Sequence, residues 1–442
     1  MSLSALLAAS MLTLAVGPCT AQVTTSQYNN SRTAATLHEK ILTPQNVNAQ
    51  QFGRVGVFNV DGAVYAQPLY VPAVPVPGKG TRDVLFVATE HDSVYAFDAN
   101  RAGDPPLWKV SFLDKSRGVT TLSEDVVACP FIRPEVGITS TPMIDLKTGT
   151  LFVLARTMIG HRVGDDEYLQ HLHALAITTG VEKFGGPKLI TASVSGKGAG
   201  SSKGQVAFDA LRENPRAALT LANNKVYLEW ASSCDVDPYH GWVMSYDAQT
   251  LAQKSVLNVN PDGTQAGIWL SDTGPAVDPE GNLYVPSGNG TFDAANGGRD
   301  YGDSVLKLDG SSLAIQDYFT PHDQERIKLP GAGLGAIAYW NGHAFFATSD
   351  DSLRAYSIKN GLLTLQITSS SKFIDPGATP SISADGNKNA IVWAIATKTW
   401  NGPDTKAAVL FAFDERENLP GAAIVGLPVS SGVIEGRARV SS

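Results

Sequence analysis

The chain of 442 residues has a formal net charge of −8, 17% charged residues and 42 glycines. This composition is typical of a globular protein with many turns and excludes a largely disordered or coiled-coil chain. The negative balance, without any cluster of Lys and Arg, also excludes a nucleic-acid-binding surface, because contacts to phosphates require clustered positive charge.

The first residues form a candidate export signal. Residues 1–21 contain a long apolar run, and Cys19 and Ala21 are small residues at positions −3 and −1 of a cleavage site after Ala21. Lipid anchoring is the disfavoured alternative, because Pro18 precedes Cys19 where a small residue is needed. No later run is long and apolar enough to span a bilayer. We therefore expect an exported protein, either periplasmic or secreted.

Two cysteines, Cys129 and Cys234, remain after such a cleavage. In an oxidising compartment an even pair suggests one disulfide. Two unrelated buried thiols are the alternative, because the sequence gives no distance between them.

The body of the chain is a repeat. Helical periodicity is almost absent after the signal, and short runs of Val, Phe, Tyr, Leu and Ile recur between Gly, Asp and Asn turns. One unit of four strands occurs six times and predicts a β-propeller of six recognisable blades, in a total of six to eight. The blades lie near residues 67–112, 137–192, 216–258, 274–320, 335–368 and 377–415, within a propeller of residues 52–415 that follows an N-terminal extension, 22–51, and precedes an atypical tail, 416–442.

The repeat resembles that of PQQ-like, or quinoprotein-like, propellers. Over about residues 34–415 the chain is similar to exported bacterial PQQ-like proteins of undefined activity. The resemblance implies a propeller fold, and it makes PQQ and calcium possible cofactors by resemblance only, since a fold does not fix a chemistry. It is carried by Tyr95-Ala96-Phe97-Asp98 with Trp108, Ala174-Leu175-Ala176 with Thr179-Gly180, Tyr246-Asp247, Leu308-Asp309, Ala355-Tyr356-Ser357 with Gly361, and Ala412-Phe413-Asp414.

The two ends of the propeller do not match in the sequence. The strand within residues 52–60 precedes blade one, and such a strand usually completes the last blade and closes the ring. Residues 416–442 contain no recognisable unit to receive it, and the jump within residues 318–334 is where a further unit is usually found. We therefore expect a chain that is shortened at its C-terminus, and a ring whose closure is doubtful.

Loop length divides the two faces of the predicted ring. Links between blades and loops from the second to the third strand share one face. The short turns fall on the opposite face and suit Gly, Asn and Asp. Long loops gathered on one face of a rigid ring are typical of a binding surface. The long segments are residues 113–139, 156–170, 232–240, 260–273 and 287–304, and we call their face the loop-rich face.

Glu135 is the first candidate for chemistry on this face. It precedes the innermost strand of blade two, and Asp272 precedes the equivalent strand of blade four. The two carboxylates could form a paired site for a hard cation or for acid–base work. The alternative is that Glu135 caps backbone N–H groups or pairs with Arg133.

His240 and Trp269 are further candidates near the channel mouth. His240 follows Asp235 and Asp237 and could bind a metal or accept a proton, or it could simply satisfy a loop hydrogen bond. Trp269, or alternatively Trp242, could serve as the floor of a quinone site.

Two other groups have weaker patterns. The stretch 287–304 contains Asp293 and Asp303, whose spacing matches no EF-hand loop and which either order the rim or contact a ligand or ion. His171 and His173 alternate on one strand and could chelate zinc, but no third ligand is identifiable.

The predicted function is a scaffold that binds a small molecule, a glycan or a protein through the loop-rich face. The first alternative is a quinone- and calcium-dependent oxidoreductase, although dehydrogenases of that type carry two adjacent cysteines, which this chain lacks. The second alternative is a polysaccharide hydrolase or lyase that uses Glu135 or Asp272.

Overall fold

The protein is an all-β propeller, as predicted. A computed structural model describes residues 22–48, 51–54, 56–160, 166–270, 273–319, 338–347, 351–359, 362–373, 378–396, 408–414, 422–427, 433–435 and 438–440. Within these ranges the helical elements are one short α-helix, Glu124–Val127, and two 3-10 turns, Lys115–Arg117 and Ala294–Asn296. The candidate signal of residues 1–21 lies outside them.

Six sheets follow one another along the chain, each with antiparallel strands hydrogen-bonded in chain order. Sheet 1 comprises Leu69–Val76, Gly80–Ala88, Ser93–Asp98 and Trp108–Ser111. Sheet 2 comprises Met143–Asp145, Thr150–Ile159, Glu167–Ala176 and Lys188–Leu189, with Val119–Thr120 added to its second strand. Sheet 3 comprises Thr220–Ala222, Lys225–Ser232, Trp242–Asp247 and Gln253–Asn258, with Glu213–Asn214 added to its second strand.

The second half of the chain continues the same arrangement. Sheet 4 comprises Ala276–Val277, Leu283–Pro286, Val305–Leu308 and Ile315–Phe319. Sheet 5 comprises Ala338–Trp340, His343–Phe346, Asp351–Lys359 and Leu362–Phe373. Sheet 6 comprises Ser381–Asp385, Lys388–Ala396, Ala408–Asp414 and Ala422–Leu427, with Ala35–Thr36 parallel to its first strand. Two small hairpins, Leu122–Ser123 with Glu135–Val136 and Ser193–Ser195 with Gln205–Ala207, lie outside these sheets.

The repeated Asp at the end of the third strand fixes the turn to the fourth. The Asp309 carboxylate accepts from the backbone N–H groups of Ser311 and Ser312, at 3.0 and 2.8 Å. Asp247 binds the two corresponding N–H groups of its own turn, both at 3.0 Å. Where Ala176 replaces the Asp, the turn keeps only the backbone bond from Gly180 to the Ala176 carbonyl, at 2.8 Å, which the other two turns also have, from Leu251 to Asp247 and from Leu313 to Asp309. The sequence signature is therefore a turn device, which explains why it predicts the fold and not a chemistry.

Apolar side chains fill the spaces between neighbouring sheets. Separate buried clusters join sheet 1 to sheet 2, sheet 2 to sheet 3, sheet 3 to sheet 4, and sheet 5 to sheet 6. Trp230 and Trp242 are fully buried in the core between sheets 2 and 3. Aromatic burial on this scale makes the pair of sheets 2 and 3 a rigid base for the loops above it.

Residues 23–39, here called the strap, connect the first strands of all six sheets. Because the first strands of a propeller are the innermost, a segment that reaches all six must cross the middle of the ring. The sequence predicted only an extension here. The strap contacts are Val23 with Tyr70 of sheet 1, the Thr24 carbonyl with Ile144 of sheet 2, Asn30 with Leu221 of sheet 3 and Val277 of sheet 4, the Thr33 carbonyl with Tyr339 of sheet 5, and the Ala34 carbonyl with Ile382 of sheet 6.

A buried arginine fixes the strap between sheets 3 and 4. The Arg32 guanidinium donates to the Pro275 carbonyl at 3.2 Å and to the Thr220 hydroxyl at 2.5 Å. Burial lowers the pKa of Arg32 to about 10, and the charge of Glu229 opposes this effect. Burial likewise raises the pKa of Glu229 to about 8, although Arg32 favours its ionised form. The strap thus places a positive charge where sheet 3 buries a carboxyl group.

The strand within residues 52–60 has partners, and the tail supplies them. Phe52–Arg54 pairs with Ala438–Val440, and Val57–Asn59 pairs with Val433–Glu435. We expected no structural unit after residue 415. The tail instead supplies these two pairing strands, and Ala422–Leu427 forms the fourth strand of sheet 6. Backbone pairing of an edge does not require the repeat signature, so these strands could not be recognised from the repeat pattern.

Candidate functional site

A cleft of about 480 Å³ opens between sheets 2 and 3 on the loop-rich face. Its walls come from the start of the strand Glu167–Ala176, from the segment 189–213 and from Pro238 and His240. The lining is about equally polar and apolar, and clefts of this size with a few convergent polar groups are typical of sites for small molecules. We refer to it as the cleft.

The floor of the cleft is a buried carboxyl group, Glu213. Its oxygens accept from the backbone N–H of His240 at 3.2 and 3.3 Å and from the indole N–H of Trp242 at 3.2 Å. Burial raises the pKa of Glu213 well above its ordinary range, while these two donors act in the opposite direction. Glu213 lies in the segment that links sheets 2 and 3, and its hydrogen bonds attach this segment to the start of the third strand of sheet 3.

The His240 ring beside Glu213 has both nitrogens occupied. Nε2 lies 2.9 Å from the Ala199 carbonyl, which can only accept, so Nε2 carries a proton. Nδ1 lies 3.1 Å from the side-chain amide oxygen of Asn260 and 3.2 Å from its backbone carbonyl. His240 therefore holds the roof of the cleft, and its neighbours are not the predicted Asp235 and Asp237.

The roof is the hairpin of residues 193–207. Gly198 and Ala199 at its tip donate to the carbonyls of Pro261 and Gly263, both at 2.9 Å. A side chain at Gly198 would lie 2.5 Å from the Gly263 oxygen, so only glycine permits this approach. The hairpin is therefore fixed to the link between sheets 3 and 4.

A cation behind the cleft is shared by several acids. Arg156 is fully buried and donates to the Leu211 carbonyl and, at 3.3 Å, to the Asn214 amide oxygen. Burial lowers its pKa to about 10, and the opposing carboxyl groups are Glu90, Asp209, Asp92 and Glu213. Burial, and then the charge of Glu90, raise the pKa of Asp92 well above its ordinary range. One guanidinium thus faces four carboxyl groups, and burial favours the uncharged form of two of them, Asp92 and Glu213.

Glu135 lies on the loop-rich face but is paired differently from the prediction. Its carboxylate is 2.7 Å from His91 Nδ1 and 3.1 Å from the Thr121 hydroxyl, so His91 takes the place expected for Arg133. Asp272, its proposed companion, lies outside the described residues. Side chains of His91 and Glu135 are 37% and 20% exposed, which leaves this pair accessible to solvent.

Trp269 is half-buried beside two partners. The Arg216 guanidinium lies 5.9 Å from its ring centroid, and Tyr239 meets it edge to face at 6.4 Å. This arrangement is a cationic and aromatic platform. Trp242, the other candidate floor, is fully buried in the core between sheets 2 and 3.

The Asp residues of the stretch 287–304 bind its own backbone and its neighbours. Asp293 accepts from the Asp300 N–H at 2.9 Å, and the buried Asp300 accepts from the Asp262 N–H at 3.0 Å. Asp262 in turn pairs with Arg299 at 2.8 Å, and Arg299 donates to the Ser195 carbonyl of the hairpin at 3.2 Å. Asp303 has a left-handed backbone, with φ of 52°, and burial raises its pKa. The stretch therefore supports the roof of the cleft.

The two cysteines and His173 make contacts that stabilise the fold. Cys129 and Cys234 form a disulfide, with 5.5 Å between their Cα atoms, in an apolar cluster that includes Tyr168 at the cleft wall. His173 bonds to Glu182 and stacks on Phe112. Within the described ranges no group of three His, Cys, Asp or Glu side chains is placed to hold a metal ion.

Most of the cleft has no signature in the sequence. Asp209 and Glu213 show no characteristic spacing, and nothing in the pattern distinguishes Phe208 or Arg156 from ordinary core and strand residues. One signal was present: the link of residues 193–212 between blades two and three is long and belongs to the loop-rich face by the same rule as the other long loops.

Comparison with known proteins gives little beyond the fold. No protein-family model matches the chain. Rifampicin phosphotransferases of Bacillus subtilis and Bacillus cereus are 88% and 85% identical over 26 residues, which is 6% of this chain and 3% of those proteins. The matched segment is thus a very small part of those relatives.

Two solved structures are also similar. A quinohemoprotein alcohol dehydrogenase of Pseudomonas putida HK5 is 14% identical with a TM-score of 0.45, covering 93% of this chain and 61% of that chain. A europium-containing methanol dehydrogenase is 12% identical with a TM-score of 0.39, covering 85% of this chain and 89% of that chain.

The described part of the chain has no helix long and apolar enough to cross a membrane. Its β-propeller architecture is the one that the resemblance to PQQ-like propellers implies.

Proposed function

We propose that the protein is an exported PQQ-like propeller that binds a ligand through its loop-rich face, with the cleft as the binding site. We count each of the six sheets as one four-stranded blade, within the range of six to eight that the repeats predict. The observation that carries the proposal is the cleft itself, a cavity of about 480 Å³ between two rigid sheets and under a fixed hairpin. An internal disulfide beside the cleft supports export, because disulfides persist in oxidising compartments.

The parts around the cleft favour a preformed site. Glu213 and His240 hold the floor and roof by buried hydrogen bonds, and Arg299 connects the roof to sheet 4. Preorganised walls reduce the entropy lost on binding. A propeller that elaborates one face in this way is suited to binding.

A cleft-filling variant tests the proposal. Thr191 lines the cleft and is exposed, so Thr191→Trp places an indole in the cavity without removing a buried contact. Thr81→Trp, at an exposed position on the second strand of sheet 1, is the matched control. Small molecules or glycans that bind the cleft should raise the melting temperature of the wild type and of Thr81→Trp. We expect the same compounds to leave the melting temperature of Thr191→Trp unchanged. Ligands that stabilise all three proteins equally would contradict a site in the cleft.

The quinone- and calcium-dependent oxidoreductase remains the first alternative because of the Trp269 and Arg216 platform, which suits a planar anionic group. The rest of the site fits less well. Cys129 and Cys234 are bonded to each other across 105 residues and are not adjacent, and the Glu135 carboxylate is occupied by His91 and Thr121. Dye-linked oxidation of alcohols and sugars after addition of calcium and PQQ tests this alternative. Turnover that is lost on Glu135→Gln would favour it over the binding scaffold.

The second alternative, a polysaccharide hydrolase or lyase, draws on the accessible pair of His91 and Glu135. A carboxylate hydrogen-bonded to an imidazole can take part in proton transfer. Product release from a panel of polysaccharides, abolished by Glu135→Gln while the melting temperature is unchanged, would support it.

A further inference from the structure

We propose that the ligand of the cleft is a small organic cation, bound through a protonated amine or guanidinium group. This inference rests on the proposed function and adds the chemical class of the ligand. It follows from the charge of the cleft wall, from its hydrogen-bonding groups and from its aromatic side chains.

The wall carries exposed acidic side chains and no basic ones. Glu167 and Asp209 are exposed carboxylates of the lining, burial favours the protonated form of Glu213, and no Lys or Arg is among the described lining residues. Arg156 lies behind the wall and is already shared among four acids. An anionic ligand would therefore be repelled, and a cation would be attracted without displacing an existing ion pair of the wall.

The wall offers carboxylate acceptors to a ligand. Asp209 uses Oδ1 for the backbone N–H groups of Leu211 and Arg212, at 2.8 and 3.2 Å, and Oδ2 has no hydrogen bond among the described residues. Glu167 is exposed, and His240 donates to the Ala199 carbonyl and so has no proton to offer. A ligand that donates several hydrogen bonds, as an ammonium or guanidinium group does, matches this wall better than one that accepts them.

Aromatic and aliphatic side chains provide the remaining contacts. Phe208 lines the cleft, and its ring is fixed edge to face against Trp230 at 5.1 Å and Trp242 at 6.0 Å. Tyr168, Leu169 and Ile190 continue the wall. Rigid aromatic faces attract cations, and the apolar wall can receive the hydrocarbon part of an amine.

Isothermal titration calorimetry with four probes tests the inference. Spermidine and agmatine, which carry protonated amine and guanidinium groups, are the cationic probes, maltose is the neutral one and succinate is the anionic one. The variants are Glu167→Gln and Asp209→Asn, both at exposed positions, and Glu280→Gln is the exposed control outside the cleft. We expect spermidine or agmatine to bind, each cleft variant to weaken binding about threefold and the double variant about tenfold, and the control to match the wild type. Binding should also weaken as salt concentration rises.

The contrary outcomes separate this inference from the proposed function. Maltose or succinate binding that Thr191→Trp abolishes, without binding of either cation, would retain the cleft as a ligand site and overturn the cationic ligand. Cation binding that is unchanged in the double variant would also overturn it. Failure of all four probes overturns the inference, and the wider ligand screen on Thr191→Trp still decides the proposed function.

Discussion

The buried carboxyl of Glu229 should make the protein less stable as pH rises, and Glu229→Gln should remove this dependence. Burial raises the pKa of Glu229 from 4.5 to about 8 in the folded protein. Between these values the folded state keeps a proton that the unfolded state releases, so the free energy of unfolding falls as pH rises. Below pH 4.5 both states are protonated and the group has no effect.

The size of the effect follows from the two pKa values. One pKa unit corresponds to about 1.4 kcal/mol. From pH 5 to pH 8 the contribution of Glu229 therefore lowers the free energy of unfolding by about 3 kcal/mol. Gln at this position cannot ionise, so the variant should lack this part of the decline whatever its absolute stability.

Urea unfolding at pH 5, 6, 7 and 8, followed by tryptophan fluorescence, measures the decline. The comparison is between the wild type, Glu229→Gln and Glu280→Gln, which makes the same change at an exposed position. The wild type and Glu280→Gln should lose about 3 kcal/mol more than Glu229→Gln across this range. Identical slopes for all three proteins would refute the burial of an ionisable Glu229 beside the strap.

Three further predictions concern the strap, the disulfide and the roof. At pH 9, where Glu229 ionises, Arg32→Met should destabilise the protein by about 3–5 kcal/mol because it removes the charge that favours the ionised carboxyl, and adding Glu229→Met should recover part of this loss in a double-mutant cycle; additive losses would contradict this electrostatic coupling. Cys129→Ser should lower the free energy of unfolding by about 2–4 kcal/mol, and adding Cys234→Ser should change it little more, since either change removes the same bond across 105 residues. Unequal melting temperatures for the single and double variants would count against this disulfide. Arg299→Ala should speed amide hydrogen exchange in the hairpin 193–207, measured by mass spectrometry, and unchanged exchange would show that the roof does not depend on sheet 4.

The architecture could be predicted because its signals are local. Asp247 and Asp309 close turns within their own hairpins, so a few adjacent residues reveal each unit. The same locality explains what was missed. The strap binds six sheets mainly through backbone groups, and any sequence can supply these, so residues 23–39 showed no pattern.

The candidate site was predicted only as a face. Loop lengths identified the loop-rich face, and both Glu135 and His240 lie there. Their partners could not be predicted, because His91 reaches Glu135 across 44 residues and Asn260 reaches His240 across 20. Arg156 shows the limit most clearly. It lies in an ordinary strand, and only the packing of sheets 1, 2 and 3 surrounds it with carboxyl groups.

Hydrogen–deuterium exchange with a bound ligand tests most directly whether the cleft between sheets 2 and 3 binds the ligand. Exchange of each peptide is compared with and without a compound that stabilises the wild type. We predict slower exchange in the segments 167–169, 189–213 and 238–240, and little change in the short turns of the opposite face. Protection that avoids the cleft and falls on the residues around Glu135 or Trp269 would contradict it.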